Sequence, residues 1–221
     1  MKSSNADRRS FLAAIGALTG AALLPKRSEA ASPRADTAAA PWDLSWLEKM
    51  TGRHKQLFDF GKTDLTQGNS LVVVRNFLNA HKEVFGLEYP DVNTIVGIAY
   101  DAYPINASDH LWQKYPIGQV WKIKDPKTND WARRNVFAAD DQTGARGAFS
   151  VSALVARGTV FWQCNNAFGR VVSDLAKAAG QREDRSRTEL LEGMMPAVHL
   201  VPAHTMLVGL AQEHGFTYES L

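Results

Sequence analysis

Apolar residues along the chain form short continuous runs that alternate with longer runs at helical spacing. His54 to Phe60 (HKQLFDF), Asn93 to Tyr100 (NTIVGIAY), Thr159 to Cys164 (TVFWQC), Ala197 to Val201 (AVHLV) and Phe216 to Tyr218 are rich in β-branched and aromatic residues and predict five strands. Between the first two, Ser70 to Phe85 carries Leu71, Val74, Leu78, His81 and Phe85 at helical spacing; Asn69 or Ser70 can cap this helix and Gly86 can end it. Shorter helices are predicted over Asp109 to Tyr115 and Ser150 to Arg157. After the third strand, Ala167 to Ala179 puts Phe168, Val171, Val172, Leu175 and Ala179 on one face, and Met206 to His214 forms a last helix closed by Gly215. Strands that alternate with helices in this way imply an α/β fold: an open, mainly parallel sheet with helices on both faces.

Three stretches fall outside the alternation. Lys124 to Gly147 is polar and, at 24 residues, much longer than an ordinary connection of about 4–6; it reads either as a mobile lid or as an edge decoration. Gln181 to Glu192 alternates charge signs, with Glu183 and Arg187 four apart, the pattern of a solvated helix face. Trp42 to Leu47 reads as a short helix or turn whose aromatics cover a core edge.

Composition then sets the scale and the address. With 221 residues, 45% hydrophobic and 22% charged, the chain suits one domain with a full core. Residues 1–30 do not belong to that domain. Asp7-Arg8-Arg9-Ser10-Phe11-Leu12 precedes an apolar stretch of 14 residues, then Lys26-Arg27 and the small residues around Ala30, the features of a twin-arginine export signal. Residues 31–41 read as a flexible leader, and 42–221 as a single domain, periplasmic after export. The apolar stretch is too short for a membrane span of about 20 residues, so none is expected. Residues 1–30 hold five basic and two acidic side chains, which leaves 20 positive against 21 negative; the basic excess belongs to the signal and gives no reason to expect nucleic acid as a partner.

The candidate chemistry centres on Cys164, the one cysteine of the chain. It lies where the third strand ends and a helix begins, and Asn165 and Asn166 are good helix-capping residue types. In an open α/β sheet ligands bind at the carboxyl ends of strands, where helix N–H groups favour an anion, and a thiolate is such an anion. The same position also suits a small buried hydrophobe, which is how a free cysteine often packs. His204, after Pro202-Ala203 at the end of the fourth strand, would share that rim and could bond the thiolate or move a proton. Tyr100, Tyr103 and Trp162 are candidates to line a small-molecule pocket. No Gly-rich phosphate loop follows any strand and no metal-ligand spacing occurs, since His199 and His204 cannot share a helix face. Neither a cofactor nor a metal is therefore expected.

FWQCNN at 161–166, the helix after it, MPAVHLVPA at 195–203 and QEHGFTY at 212–218 together resemble the DsrE/DsrF-like family of sulfur-relay proteins, over roughly His54 to Tyr218. The resemblance implies a five-stranded, three-layer α/β/α domain, self-association into small homo-oligomers, and a cysteine at position 164 that carries sulfur as a persulfide. This chain departs from the family pattern at His204, where glycine is common after Pro-Ala, and in the segment 124–147. Two functions follow. In one, Cys164 takes sulfur from a small sulfur compound or donor protein and passes it to a thiol-bearing partner. In the other, the domain is a non-catalytic oligomeric binding or assembly module.

Overall fold

In the computed structural model, which describes residues 42–138, 143–144 and 147–221, strands and helices alternate around one parallel sheet. The expected export signal at 1–30 and the expected leader at 31–41 lie outside the described residues. In chain order the elements are α1 (Ser45–Glu48), β1 (His54–Phe60), α2 (Leu71–Phe85), β2 (Val92–Ile98), α3 (Tyr103–Asn106), α4 (Asp109–Lys114), α5 (Ile117–Val120), the hairpin β3 (Thr143–Gly144) and β4 (Gly147–Ala148), α6 (Val151–Val155), β5 (Thr159–Cys164), α7 (Asn165–Ala179), α8 (Glu183–Glu192), β6 (Val198–Val201), α9 (His204–Glu213) and β7 (Thr217–Ser220). Five strands form the sheet in the order β6-β5-β2-β1-β7, and all four pairings are parallel.

Successive side chains of a strand point to opposite faces, so β1, β2 and β5 each feed two cores, while the edge strand β7 is exposed along its length. Phe58 and Phe60 of β1, Val96 and Ile98 of β2 and Phe161 of β5 pack on one face with Leu71, Val74 and Leu78 of α2, Leu154 of α6 and Phe168, Val171 and Leu175 of α7. Leu57, Ile95, Trp162 and Val201 point the other way and meet Trp46, Leu47, Met50, Leu207, Ala211 and Phe216. Strand β2 is buried along its whole length, which explains its near-continuous apolar sequence. The connection from β6 to β7 carries α9 back across the second face to the opposite edge of the sheet.

The described part of the segment 124–147 is anchored to the core. Asn135, 2% exposed, donates through Nδ2 to the carbonyls of Ile105 (3.0 Å) and Ala107 (2.7 Å), and its Oδ1 accepts from Phe137 N–H (2.8 Å). Val136 and Phe137 enter the first core, and Arg134 forks onto Asp125 at 2.7 and 3.1 Å. Residues 124–138 are thus held against the core; 139–142 and 145–146 lie outside the described residues.

Candidate functional site

Strand β5 delivers Cys164 to the carboxyl edge of the sheet, between β2 and β6. Its residue is 4% exposed, with φ −71° and ψ 119°, and it is itself the N-cap of α7: Sγ accepts from Ala167 N–H at 3.4 Å. A helix start leaves its first N–H groups without partners, and here a sulfur takes one of them. A second donor comes from the other side of the sheet. The backbone N–H of His204, first residue of α9, reaches Sγ at 3.2 Å. The sulfur therefore lies against two helix N-termini, where a negative charge is favoured.

The expected roles of Asn165 and Asn166 as caps are corrected, because the helix begins at Asn165 and the cysteine takes the capping place. Asn165 accepts from Arg187 of α8 at 2.6 Å, tying α8 to the start of α7, while Asn166 is exposed.

His204 is brought to the sulfur through its backbone, not its ring. The Trp162 indole Nε1–H donates to His204 Nδ1 at 3.1 Å, and His204 Nε2 lies 2.7 Å from Asp59 Oδ1. Because an indole nitrogen can only donate, Nδ1 must be the acceptor and the ring proton sits on Nε2, donated to the carboxylate. Both ring nitrogens are engaged away from Cys164, so the expectation that the ring bonds the thiolate is corrected.

Strand register explains how these groups meet. Asp59, Gly97, Trp162 and His199 form one row across β1, β2, β5 and β6. Gly97 has no side chain, and the indole fills the space: a Cβ there would lie 2.5 Å from Trp162 Cζ2. Asp59 also accepts from Tyr218 OH on β7 and Gly61 N–H, each at 2.7 Å. Burial pushes its carboxyl up, but the hydrogen bonds from His204, Tyr218 and Gly61 outweigh that and hold it at about 2.

The tyrosines are placed elsewhere. Tyr103 is fully buried between Trp121 and Phe168, its hydroxyl without a partner among the described residues, and burial pushes its ionisation far up. Tyr100 donates to Asp174 under the Arg170 guanidinium, which lies 4.0 Å from the ring centre; burial and Asp174 push it up to about 12. Trp162 belongs to the opposite face of the sheet from Tyr103, so the expected pocket between Tyr100, Tyr103 and Trp162 does not form. Asp59 is a site residue that sequence reasoning missed, and Trp162, expected in a pocket with the two tyrosines, instead holds the His204 ring. A carboxylate inside the apolar strand HKQLFDF was the available signal, since a charge that enters a sheet core needs partners.

Among the described residues no group of three or more His, Cys, Asp or Glu could hold a metal ion, and no helix is long and apolar enough to cross a membrane. Fold and site together define an open, all-parallel α/β protein with one thiol at the carboxyl edge of its sheet. No family model matches the chain, and no curated protein matches it in sequence. Among solved structures, the protein of unknown function MTH1491 from Methanobacterium thermoautotrophicum aligns with 76% of this chain and 99% of its own, at 14% identity and a TM-score of 0.37.

Proposed function

We propose that this protein is an exported, periplasmic sulfur carrier that uses Cys164 as its single persulfide-bearing residue. The observation that supports this most is the pair of helix N–H groups on one sulfur, donors placed to hold negative charge at Sγ, as on the attacking and the departing thiolate. In the loading step the Cys164 thiolate attacks the outer sulfur of a donor persulfide, R–S–SH. A new S–S bond forms to Sγ, the donor S–S bond breaks, and R–S⁻ leaves with the electron pair. In the unloading step an acceptor thiolate attacks the outer sulfur and Cys164 departs as thiolate. No oxidant is consumed. One cysteine cannot resolve its own persulfide, so a thiol-bearing partner or small thiol is required. The resemblance to DsrE/DsrF-like proteins supports the same reading and adds self-association into small homo-oligomers.

The test is intact-mass analysis of native protein after exposure to a persulfide donor. A single added sulfur that is removed by a free thiol, and that Cys164→Ser does not gain, is the expected result. An unmodified protein, or a sulfur gained equally by Cys164→Ser, refutes it.

The second reading, a non-catalytic binding module, is favoured by the near-complete burial of Cys164. Its site would be the cavity of about 440 Å³ at the other end of β5 and β6, lined by Trp46, Met50, Tyr89, Val160 and His199, a volume within the range of small-molecule pockets. The imidazole of His199 stacks on Trp46 with ring centres 5.0 Å apart, and burial lowers its basicity. A thiol that is modified only after unfolding would leave this reading standing.

A further inference from the structure

We propose that Asp59 is a positioning residue for Cys164, acting through His204 to hold the first N–H of α9 on the sulfur. The inference rests on the reading of Cys164 as a working thiol. Asp59 and Cys164 are two strands apart in the sheet and 105 positions apart in sequence, and the His204 residue joins them: its ring on the carboxylate, its backbone on Sγ.

The ring is fixed from two directions. Trp162 fills Nδ1 and Asp59 takes the proton of Nε2, so one tautomer and one orientation satisfy both partners. A histidine acting as general base would present a ring lone pair to the thiol; here the one lone pair, on Nδ1, takes the indole N–H and Nε2 donates to Asp59, which leaves a mechanical role. The carboxylate already has two other donors, Tyr218 and Gly61, so the histidine bond is more than Asp59 needs for its own burial.

Two glycines make the arrangement possible, independently of the sulfur. Gly97 leaves room for the indole to lie toward Asp59. At Gly61 a Cβ would stand 2.8 Å from Asp59 Oδ1 and 3.0 Å from His204 Nε2, pushing the pair apart. Residue 61 must therefore lack a side chain for the carboxylate and imidazole to meet at 2.7 Å.

The experiment compares wild type, Asp59→Ala, Asp59→Asn and Gly61→Ala in the folded full domain by two readings. One is the midpoint of the pH profile for alkylation of Cys164 by iodoacetamide; the other is the hydrogen-exchange rate of the His204 backbone amide. Asp59→Ala and Gly61→Ala should move the midpoint upward, by about a fivefold loss of thiolate at a given pH, the weight of one ordinary hydrogen bond. Exchange at His204 should quicken in both. Asp59→Asn keeps an acceptor for Nε2–H and should return both readings most of the way to wild type. Loosening that merely exposes the thiol would raise the plateau rate and leave the midpoint in place, and that result overturns the proposal. Should Asp59→Ala not fold, Gly61→Ala, which keeps the carboxylate, decides alone. A shifted midpoint in a protein that never gains sulfur refutes the carrier and keeps the positioning role. If native Cys164 alkylates at no pH, unchanged His204 exchange in the variants overturns the role.

Discussion

Replacing Gly97 by alanine adds one methyl group at the centre of the sheet, and the structure says where that methyl must go. Its carbon would lie 2.5 Å from Trp162 Cζ2, 2.8 Å from Cε2 and 3.2 Å from Nε1. Carbon atoms in contact prefer about 3.5–4.0 Å, so the overlap is about 1 Å or more. The indole has no free space to retreat into: Trp162 is fully buried and its ring centre stands 6.4 Å from that of Trp46. Strand β2 cannot yield either, being paired on both sides and buried at every position. Overpacking of a rigid core costs about 1–3 kcal/mol, and loss of the Trp162–His204 bond adds about 1 kcal/mol, so a total near 3 kcal/mol is expected. With a urea m-value of about 2 kcal/mol/M the unfolding midpoint should fall by about 1.5 M. The assay is urea unfolding followed by tryptophan fluorescence, with far-ultraviolet circular dichroism as a second probe. A midpoint within about 0.3 M of wild type would mean that the indole does not lie over Gly97, and the account of how Asp59, Trp162 and His204 meet would fail with it.

Three further outcomes are expected. Cys164→Ala removes the acceptor for two backbone N–H groups and should cost about 1–2 kcal/mol, whereas Cys164→Ser, a better helix cap, should stay within about 0.5 kcal/mol of wild type; urea midpoints separate the two. Asn135→Ala leaves buried carbonyls of Ile105 and Ala107 without their donor and should both destabilise the domain by about 2–3 kcal/mol and open residues 124–138 to limited proteolysis. Asp59, held at about 2 against an ordinary 3.8, binds fewer protons folded than unfolded. Its contribution to stability is therefore complete above about pH 4 and is lost as pH falls toward 2; acid titration of stability should lose that part of its slope in Asp59→Asn, and an unchanged slope would show that the carboxylate is not so perturbed.

The five strands were legible because each is set by local chemistry. The β-branched and aromatic runs at 54–60, 93–100, 159–164, 197–201 and 216–218 differ from the observed β1, β2, β5, β6 and β7 by two residues or fewer at any end. Burial on both faces makes such runs continuous, and Gly86 and Gly180, both at positive φ, stop α2 and α7 where the sequence places the stops. The four-residue helices α3 and α5 were not legible. At one turn each they show no periodicity, and Tyr103, Ile105 and Ile117 are apolar because they are buried among their neighbours rather than because of a repeat. Residues 124–138 hid their anchoring for a related reason. A polar run looks solvated, yet one buried asparagine saturated by three backbone partners fixes it as firmly as an apolar side chain would.

The site divides along the same line, between what neighbours in sequence decide and what the sheet decides. That Cys164 ends a strand and faces a helix start follows from TVFWQC and the amphipathic run after it, because strand, cap and helix are contiguous. Which atom caps the helix does not follow. Asparagine is the better capping residue, but the extended conformation ends at Cys164, which pairs with β6, so the helix begins one residue earlier than an Asn165 cap would need. The role of His204 is still more remote from its local sequence. Position after a strand puts it on the rim, and a histidine beside a thiol invites a proton-transfer role. The ring direction, however, is set by a carboxylate 145 positions away and by an indole 42 positions away, which meet only because Asp59, Gly97 and Trp162 fall in one register row. A histidine whose ring is spoken for can still act on a thiol through its own amide. At this rim the side chain supplies the geometry and the backbone supplies the donor.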